Sequence, residues 1–209
     1  MPRMHQQNDI EQSLPVMEHF YTLQGEGYWT GSAAYFIRLG GCDVGCTWCD
    51  VKDSWPIDKH PKFAISEISS WFQNTKTTIA VITGGEPTMH SLSGLTSALH
   101  QISIRTHIET SGTSPLTGDW DWITFSPKRF KKPLSEYYSK SNELKIIIAH
   151  RNDFRWALEH GSKMHKDAFL YIQPEWDSKE VLESDCIQFV KDNPNWKLSL
   201  QTHKYLNID

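Results

Sequence analysis

Short apolar runs alternate with polar, helix-like stretches along most of this chain. Seven runs read as strands: "AAYFIRL" (33–39), "TIAVIT" (78–83), "RTHIET" (105–110), "WDWITFS" (120–126), "ELKIIIA" (143–149), "AFLYIQ" (168–173) and "WKLSLQT" (196–202). Continuous apolar, β-branched runs of this kind suit strands buried on both faces, as in a parallel sheet. Between them, "ISEISSWFQN" (65–74) puts Ile65, Ile68, Trp71 and Phe72 on one helical face. "LSGLTSALHQI" (92–102), "DFRWALEHG" (153–161) and "KEVLESDCIQFVKDN" (179–193) also read as helices.

A polar or glycine-bearing cluster follows nearly every strand. These are Gly40–Asp50, Thr83-Gly84-Gly85-Glu86-Pro87, Glu109-Thr110-Ser111-Gly112, Ser126-Pro127-Lys128, Gln173-Pro174 and Gln201-Thr202-His203. In α/β barrels and open parallel sheets, the carboxyl ends of the strands form the active-site face. The region 107–172 holds fewer helices than complete βα repeats need. The expected fold is therefore α/β, an incomplete or distorted (β/α) barrel with parallel strands and the site at their C-terminal edge.

Composition narrows the class without naming a chemistry. A chain of 209 residues suits one domain; the reading is a flexible leader over 1–15 and a single catalytic domain over 16–209. The net charge of −4 leaves no basic footprint for nucleic acid. No apolar run approaches the roughly 20 residues of a membrane span, so no membrane partner is expected. The leader MPRMHQQNDIEQSLP lacks the apolar core of a signal peptide. The expected location is cytoplasmic, where a disulfide framework is not favoured.

Three of the four cysteines, Cys42, Cys46 and Cys49, crowd into "GGCDVGCTWCD" with the spacing C-x3-C-x2-C. A structural zinc site needs four ligands, and His60 and His19, the nearby candidates, lack finger-like spacing. Chance clustering of buried thiols is the plainest alternative. An iron–sulfur cluster held by three thiolates is the third, because it leaves one iron open to a small molecule. Cys186, in the helical run "VLESDCIQFV", reads as a half-buried small side chain rather than a ligand.

The pattern C-x3-C-x-aromatic-x-C, with Trp48 as the aromatic, resembles the radical S-adenosylmethionine (radical SAM) superfamily. Thr83-Gly84-Gly85-Glu86-Pro87 is similar to that superfamily's GGEP motif. The stretch "EHFYTLQGEGYWTGSAAYFIRLGGCDVGC" resembles, more narrowly, the 7-carboxy-7-deazaguanine synthase (QueE) family of queuosine and deazapurine biosynthesis. The likeness runs through Glu109–Thr113, Ser126–Lys128, Glu143–Lys145, Gln173-Pro174 and Gln201–Lys204, so it covers about residues 16–209. It implies a radical SAM lyase of the (β/α) barrel type, carrying a 4Fe-4S cluster, S-adenosylmethionine and Mg2+. The implied substrate is 6-carboxy-5,6,7,8-tetrahydropterin, contracted to 7-carboxy-7-deazaguanine with loss of ammonia. An electron donor such as flavodoxin or ferredoxin, and a homodimer, follow from the same resemblance.

The resemblance also implies roles. Cys42, Cys46 and Cys49 would hold the cluster. Leu23, Gln24, Gly25 and Glu26 match the substrate loop; a pterin's amino-pyrimidinone edge needs a carboxylate acceptor and amide partners. Arg38 matches the arginine that clamps the substrate carboxylate, for which a guanidinium fork is suited. Thr83 and His203 would line the same pocket, and Asp209 is a candidate because the family's carboxyl terminus reaches it. Trp48, Cys49, Asp50, Gly84, Gly85, Glu86, Ser126, Pro127, Lys128, Gln173 and Pro174 would bind S-adenosylmethionine, with Ser111 facing the same cleft and Glu109 beside it. Lys145 is left without a role. Many relatives place a magnesium-binding threonine where this chain has Val51, so Asp50, Asp53, Ser54 or waters would have to substitute, hard Mg2+ preferring oxygen. Two other functions compete: a glycyl-radical-activating enzyme acting on a partner protein, and a non-catalytic metal-stabilised binding module.

Overall fold

The computed structural model describes residues 12–208. Nine strands form one sheet in the order β3-β1-β2-β4-β5-β6-β7-β8-β9. The strands are β1 (Ser13–Leu23), β2 (Ala33–Leu39), β3 (Lys62–Ala64), β4 (Ile79–Gly84), β5 (Arg105–Thr110), β6 (Trp122–Phe125), β7 (Glu143–Ile148), β8 (Phe169–Pro174) and β9 (Trp196–Leu198). From β2 to β9 every neighbouring pair is parallel. At one edge, β1 runs antiparallel to both its neighbours, β2 and β3. Among the described residues the α-helices are α1 (Ile65–Ser70), α2 (Ser93–Gln101), α3 (Tyr137–Lys140), α4 (Asp153–Gly161), α5 (Lys179–Asp192) and α6 (Thr202–Leu206).

The period-2 alternation of strand side chains divides the sheet into two unlike faces. Ile37 and Leu39 of β2, Ala80 and Ile82 of β4, Leu144 and Ile146 of β7 and Ile172 of β8 belong to the main core. Leu95 and Leu99 of α2, Ala157 of α4 and Leu182, Cys186 and Phe189 of α5 pack into that core. The opposite face starts apolar, with Ala34, Phe36, Ile79 and Val81. It turns polar toward the carboxyl ends, where Arg38, Thr83, Glu109, Lys145 and Gln173 occupy the same alternating positions. That switch in polarity along one face marks the site.

The sheet is unclosed, as the shortage of helices predicts, yet its two ends meet. The segment after β1 crosses to the far edge: Thr202 N–H donates to the Gly25 carbonyl at 3.0 Å, and Gly27 N–H to Ser199 Oγ at 2.9 Å. A loop thus bridges what strand pairing leaves open.

Two strands fall outside the expected seven. Ser13–Pro15, assigned to the loose leader, pair with Ala64, Phe63 and Lys62, and Leu14 is buried in the core. The rest of the expected leader, 1–11, lies outside the described residues. The last strand, expected over 196–202, ends at Leu198, because Ser199 and Gln201 turn their side chains to Gln173 and Glu26.

Candidate active site

The cysteine loop follows β2 and lies against the end of β4. Gly85 N–H donates to the Leu39 carbonyl at 2.9 Å, and Glu86 N–H to the Gly41 carbonyl at 2.8 Å. Such close approach needs glycine. A Cβ on Gly84, whose φ is +121°, would lie 2.3 Å from Leu39 backbone atoms, and one on Gly85 would lie 2.2 Å from the Gly41 oxygen. Gly41 and Cys42 are held from the other side by the Ser54 and Trp55 carbonyls, at 2.7 and 3.2 Å.

All three thiols of the loop face one cleft, together with Trp48, Lys128 and the Gly84–Glu86 backbone. Burial pushes the Cys42 thiol up and Cys46 up to about 11, and the nearby Cys49 adds to both. Backbone N–H groups of Val44 and Gly45 donate to the Cys42 sulfur, which favours its thiolate. The Lys128 ammonium bonds Ser126 Oγ at 2.6 Å and stands 5.4 Å from the Trp48 ring centre. Among the described residues, no group of three His, Cys, Asp or Glu side chains gathers as a single metal ion would require. A cubane spreads its thiolates over different irons, so its ligands need not meet at one point.

Glu86 is 1% exposed. One of its oxygens accepts from Thr88 N–H (3.1 Å), Thr88 Oγ1 (2.6 Å) and Thr110 Oγ1 (2.5 Å). The other accepts from Ser111 N–H at 2.8 Å and from the Ser111 hydroxyl. A buried carboxylate satisfied by so many donors knots the end of β4 to the end of β5.

The far end of the cleft is built from side chains. Lys145, 4% exposed, bonds a Glu26 oxygen and lies 3.8 Å from Glu109. Gln201 donates to the other Glu26 oxygen at 2.9 Å. Burial is the largest influence and would raise the Glu26 carboxyl, but the Lys145 charge together with hydrogen bonds from Lys145, Gln201 and Gln173 outweighs it and holds the group at about 2. Gln24 donates to Glu109 at 3.0 Å and to the Glu26 N–H offers its own carbonyl at 3.0 Å. His203 fits against Gly25, where any Cβ would meet its ring; burial lowers its pKa.

The β2–β4 register sets Arg38 beside Thr83. The Arg38 Nε is 2.9 Å from a Glu18 carboxylate oxygen. That contact is an ion pair and not a hydrogen bond, and Nε remains buried without a hydrogen-bond partner.

The cleft gathers most of the expected residues: Leu23, Gln24, Gly25, Glu26, Arg38, the three cysteines, Trp48, Asp50, Thr83–Glu86, Ser111, Ser126, Lys128, Gln173 and His203. Pro127 and Pro174 do not line it; Pro174 ends β8 opposite Ile148. Asp209 lies outside the described residues. Val51 does face the cleft, as do Trp55, Lys145, Glu175 and Trp176, which carry no assigned role in the sequence. Lys145 was the one with a visible signal, a lysine in an apolar strand.

A family model for the radical SAM superfamily matches residues 36–126. The chain is 51% identical to the 7-carboxy-7-deazaguanine synthase of Flavobacterium psychrophilum, over 93% of this chain and 92% of that one. It is 46% identical to the enzyme of that name from Synechocystis, over 94% of both. The crystal structure of QueE from Escherichia coli superimposes with a TM-score of 0.81 at 33% identity, covering 90% of this chain and 93% of that one. These likenesses exceed what the activase or binding-module readings require. The chain belongs to the 7-carboxy-7-deazaguanine synthase family of the radical SAM superfamily.

Proposed function

We propose that the chain from Ser13 onward acts as one catalytic domain that converts 6-carboxy-5,6,7,8-tetrahydropterin to 7-carboxy-7-deazaguanine with loss of ammonia. The observation that carries this reading is the single cleft with two unlike ends. Three thiols and a glycine-built backbone edge stand at one, and Glu26, Gln24, Thr83 and Arg38 at the other. The product is a precursor for queuosine and related deazapurines.

The donor set fits the cofactors that the family implies. Cys42, Cys46 and Cys49 would hold a 4Fe-4S cluster, with N–H donation to Cys42 favouring the thiolate. When bound, the cluster and S-adenosylmethionine supply radical chemistry that removes hydrogen from the substrate carbon bearing the carboxylate. Gly84, Gly85 and Glu86 would meet the methionine end through the backbone, since the Glu86 oxygens already take five donors. Trp48, Asp50, Ser111, Ser126, Lys128 and Gln173 would frame the rest.

At the other end, Arg38 supports a carboxylate clamp because its guanidinium, paired through Nε with the half-exposed Glu18, lines the cleft beside Thr83. Glu26, fully ionised at neutral pH, would accept from the pterin amino-pyrimidinone edge, with Gln24 and His203 beside it. Mg2+ would rest on Asp50, substrate oxygens and water. The Ser54 hydroxyl is spent on the Val51 carbonyl at 2.6 Å, and Asp53 does not line the cleft. A one-electron donor such as flavodoxin or ferredoxin, and a homodimer, complete the proposal. Among the described residues, no helix is long and apolar enough to cross a membrane.

Anaerobic turnover of the tetrahydropterin by the iron-loaded enzyme, with mass analysis of the product, tests this reading. Formation of the deazaguanine is expected. An intact cluster with no product would overturn it.

A further inference from the structure

The motif Glu143-Leu144-Lys145 is not absorbed by the reaction as described, yet it sits beneath the substrate loop. Both charged residues are buried, on one face of β7 two positions apart. Three carboxylates, Glu26, Glu109 and Glu143, surround the single Lys145 ammonium. One ammonium cannot pair with all three at close range.

Contacts decide which carboxylate takes the cation. Lys145 bonds Glu26 and stands 3.8 Å from Glu109. Glu143 turns instead to the loop backbone, accepting from Tyr28 N–H at 3.1 Å. It also presses on Gly27, whose φ is +64°; a Cβ there would lie 2.1 Å from a Glu143 oxygen. Glu143 therefore grips the two residues that follow Glu26, while Lys145 grips Glu26 itself.

We infer that Glu143 is a positioning residue for substrate recognition, locking the turn at Gly27-Tyr28 so that the Glu26 carboxylate stays presented to the pterin. This rests on the proposed function, since it assumes that Glu26 receives the substrate. The protonation states agree with the contacts. Burial pushes Glu143 up to about 7, whereas the Lys145 charge and the hydrogen bonds to Glu26 together outweigh burial there and keep it at about 2. Below neutrality Glu143 is then a neutral carboxyl that leaves Lys145 to Glu26. Above it, a new buried anion competes for the same ammonium.

The groups facing Glu143 are few. Lys145 comes from its own strand. Glu109, and His107 two residues earlier on the same face, come from β5. Tyr28 comes from the loop, Trp122 from β6 and Tyr171 from β8. Burial holds His107 down to about 4 and Tyr171 up to about 12. Neither changes charge between pH 6 and 8.5.

The test compares Glu143→Gln and Glu143→Ala with the native enzyme. KM for the tetrahydropterin, KM for S-adenosylmethionine and pterin binding by fluorescence are measured from pH 6 to 8.5. Glutamine retains an acceptor for Tyr28 and mimics the neutral acid. At pH 6 it should bind pterin within about threefold of native, whereas alanine should weaken pterin roughly tenfold or more and leave S-adenosylmethionine within about twofold. Native affinity for pterin should fall several-fold toward pH 8.5 relative to the glutamine variant, a ratio that cancels titration of the substrate. If alanine fails to fold, the glutamine-to-native pH ratio decides alone. A flat ratio, a glutamine variant as weak as alanine, or equal loss of both ligands would overturn the inference. Native enzyme that neither binds nor turns over the pterin would instead defeat the proposed function.

Discussion

The two ends of the cleft are built by different means. At the cysteine end, position is held by main chain: the Leu39 and Gly41 carbonyls take the Gly85 and Glu86 N–H groups, and glycine permits the contact. At the pterin end, position is held by buried charge: Lys145 among three carboxylates, with Gln24 donating to Glu109 and Gln201 to Glu26. A backbone cradle tolerates changes of side chain but not of shape. A charge network tolerates small shifts of shape but not the loss of one partner, because an unpaired buried ion is costly.

The largest test breaks the cysteine end outright. Cys42→Ala, Cys46→Ala or Cys49→Ala should each abolish the 4Fe-4S cluster, read as lost iron and lost visible absorbance after anaerobic reconstitution. Cys186→Ala should keep it, for Cys186 faces the core from α5 and is far in sequence from the loop. Cluster loss in the Cys186 variant alone would defeat the three-ligand assignment.

Gly85→Ala probes the cradle without touching a ligand. The added methyl must displace the Gly41 carbonyl, 2.2 Å away. Overpacking of this kind costs about 1–3 kcal/mol, here borne by the cysteine loop. The expected outcome is low iron content and weak S-adenosylmethionine binding, with pterin binding retained. Pterin lost in step with the cofactor would mean that the two ends are not independent.

Arg38→Ala is the converse at the other end. Removing the fork from a buried carboxylate costs roughly 2 kcal/mol, or about thirtyfold in affinity. Pterin KM should rise by that factor while S-adenosylmethionine KM stays within about twofold. Glu18, the present partner, is 45% exposed and loses little when left alone. Equal weakening of both ligands would make Arg38 structural.

The same contrast explains what was legible in the sequence. The parallel strands were readable because β2 and β4 to β9 are apolar runs flanked by turn residues. The cysteine end was readable too, since its parts are local: one loop, one Gly-Gly pair, each with a fixed spacing. Strand β1 was hidden because a register shift between Val16 and Glu18 breaks its alternation and puts Glu18 and His19 in mid-strand. Strand β3 spans only Lys62–Ala64, too short to carry a period. The role of Lys145 was hidden for another reason. Its partner Glu26 lies 119 positions away, and no local pattern reports a pairing that only the curled sheet creates.

Val51 sits where the two ends join, and it yields the smallest expected effect. Its side chain lines the cleft beside Asp50, while its carbonyl accepts both the Ser54 N–H, at 3.1 Å, and the Ser54 hydroxyl. That backbone is therefore anchored whatever side chain it carries. Asp50 is 61% exposed and 3.1 Å from the Lys204 ammonium. A cation there must compete with lysine. Val51→Thr adds one oxygen of the kind that Mg2+ prefers, at nearly unchanged volume. The gain should be about 1 kcal/mol, so the Mg2+ concentration giving half-maximal turnover should fall roughly fivefold. Cluster content and pterin KM at saturating Mg2+ should not move. A variant with unchanged Mg2+ dependence would place the ion away from residue 51, on Asp50, substrate and water alone. The junction would then belong wholly to the charged end of the cleft.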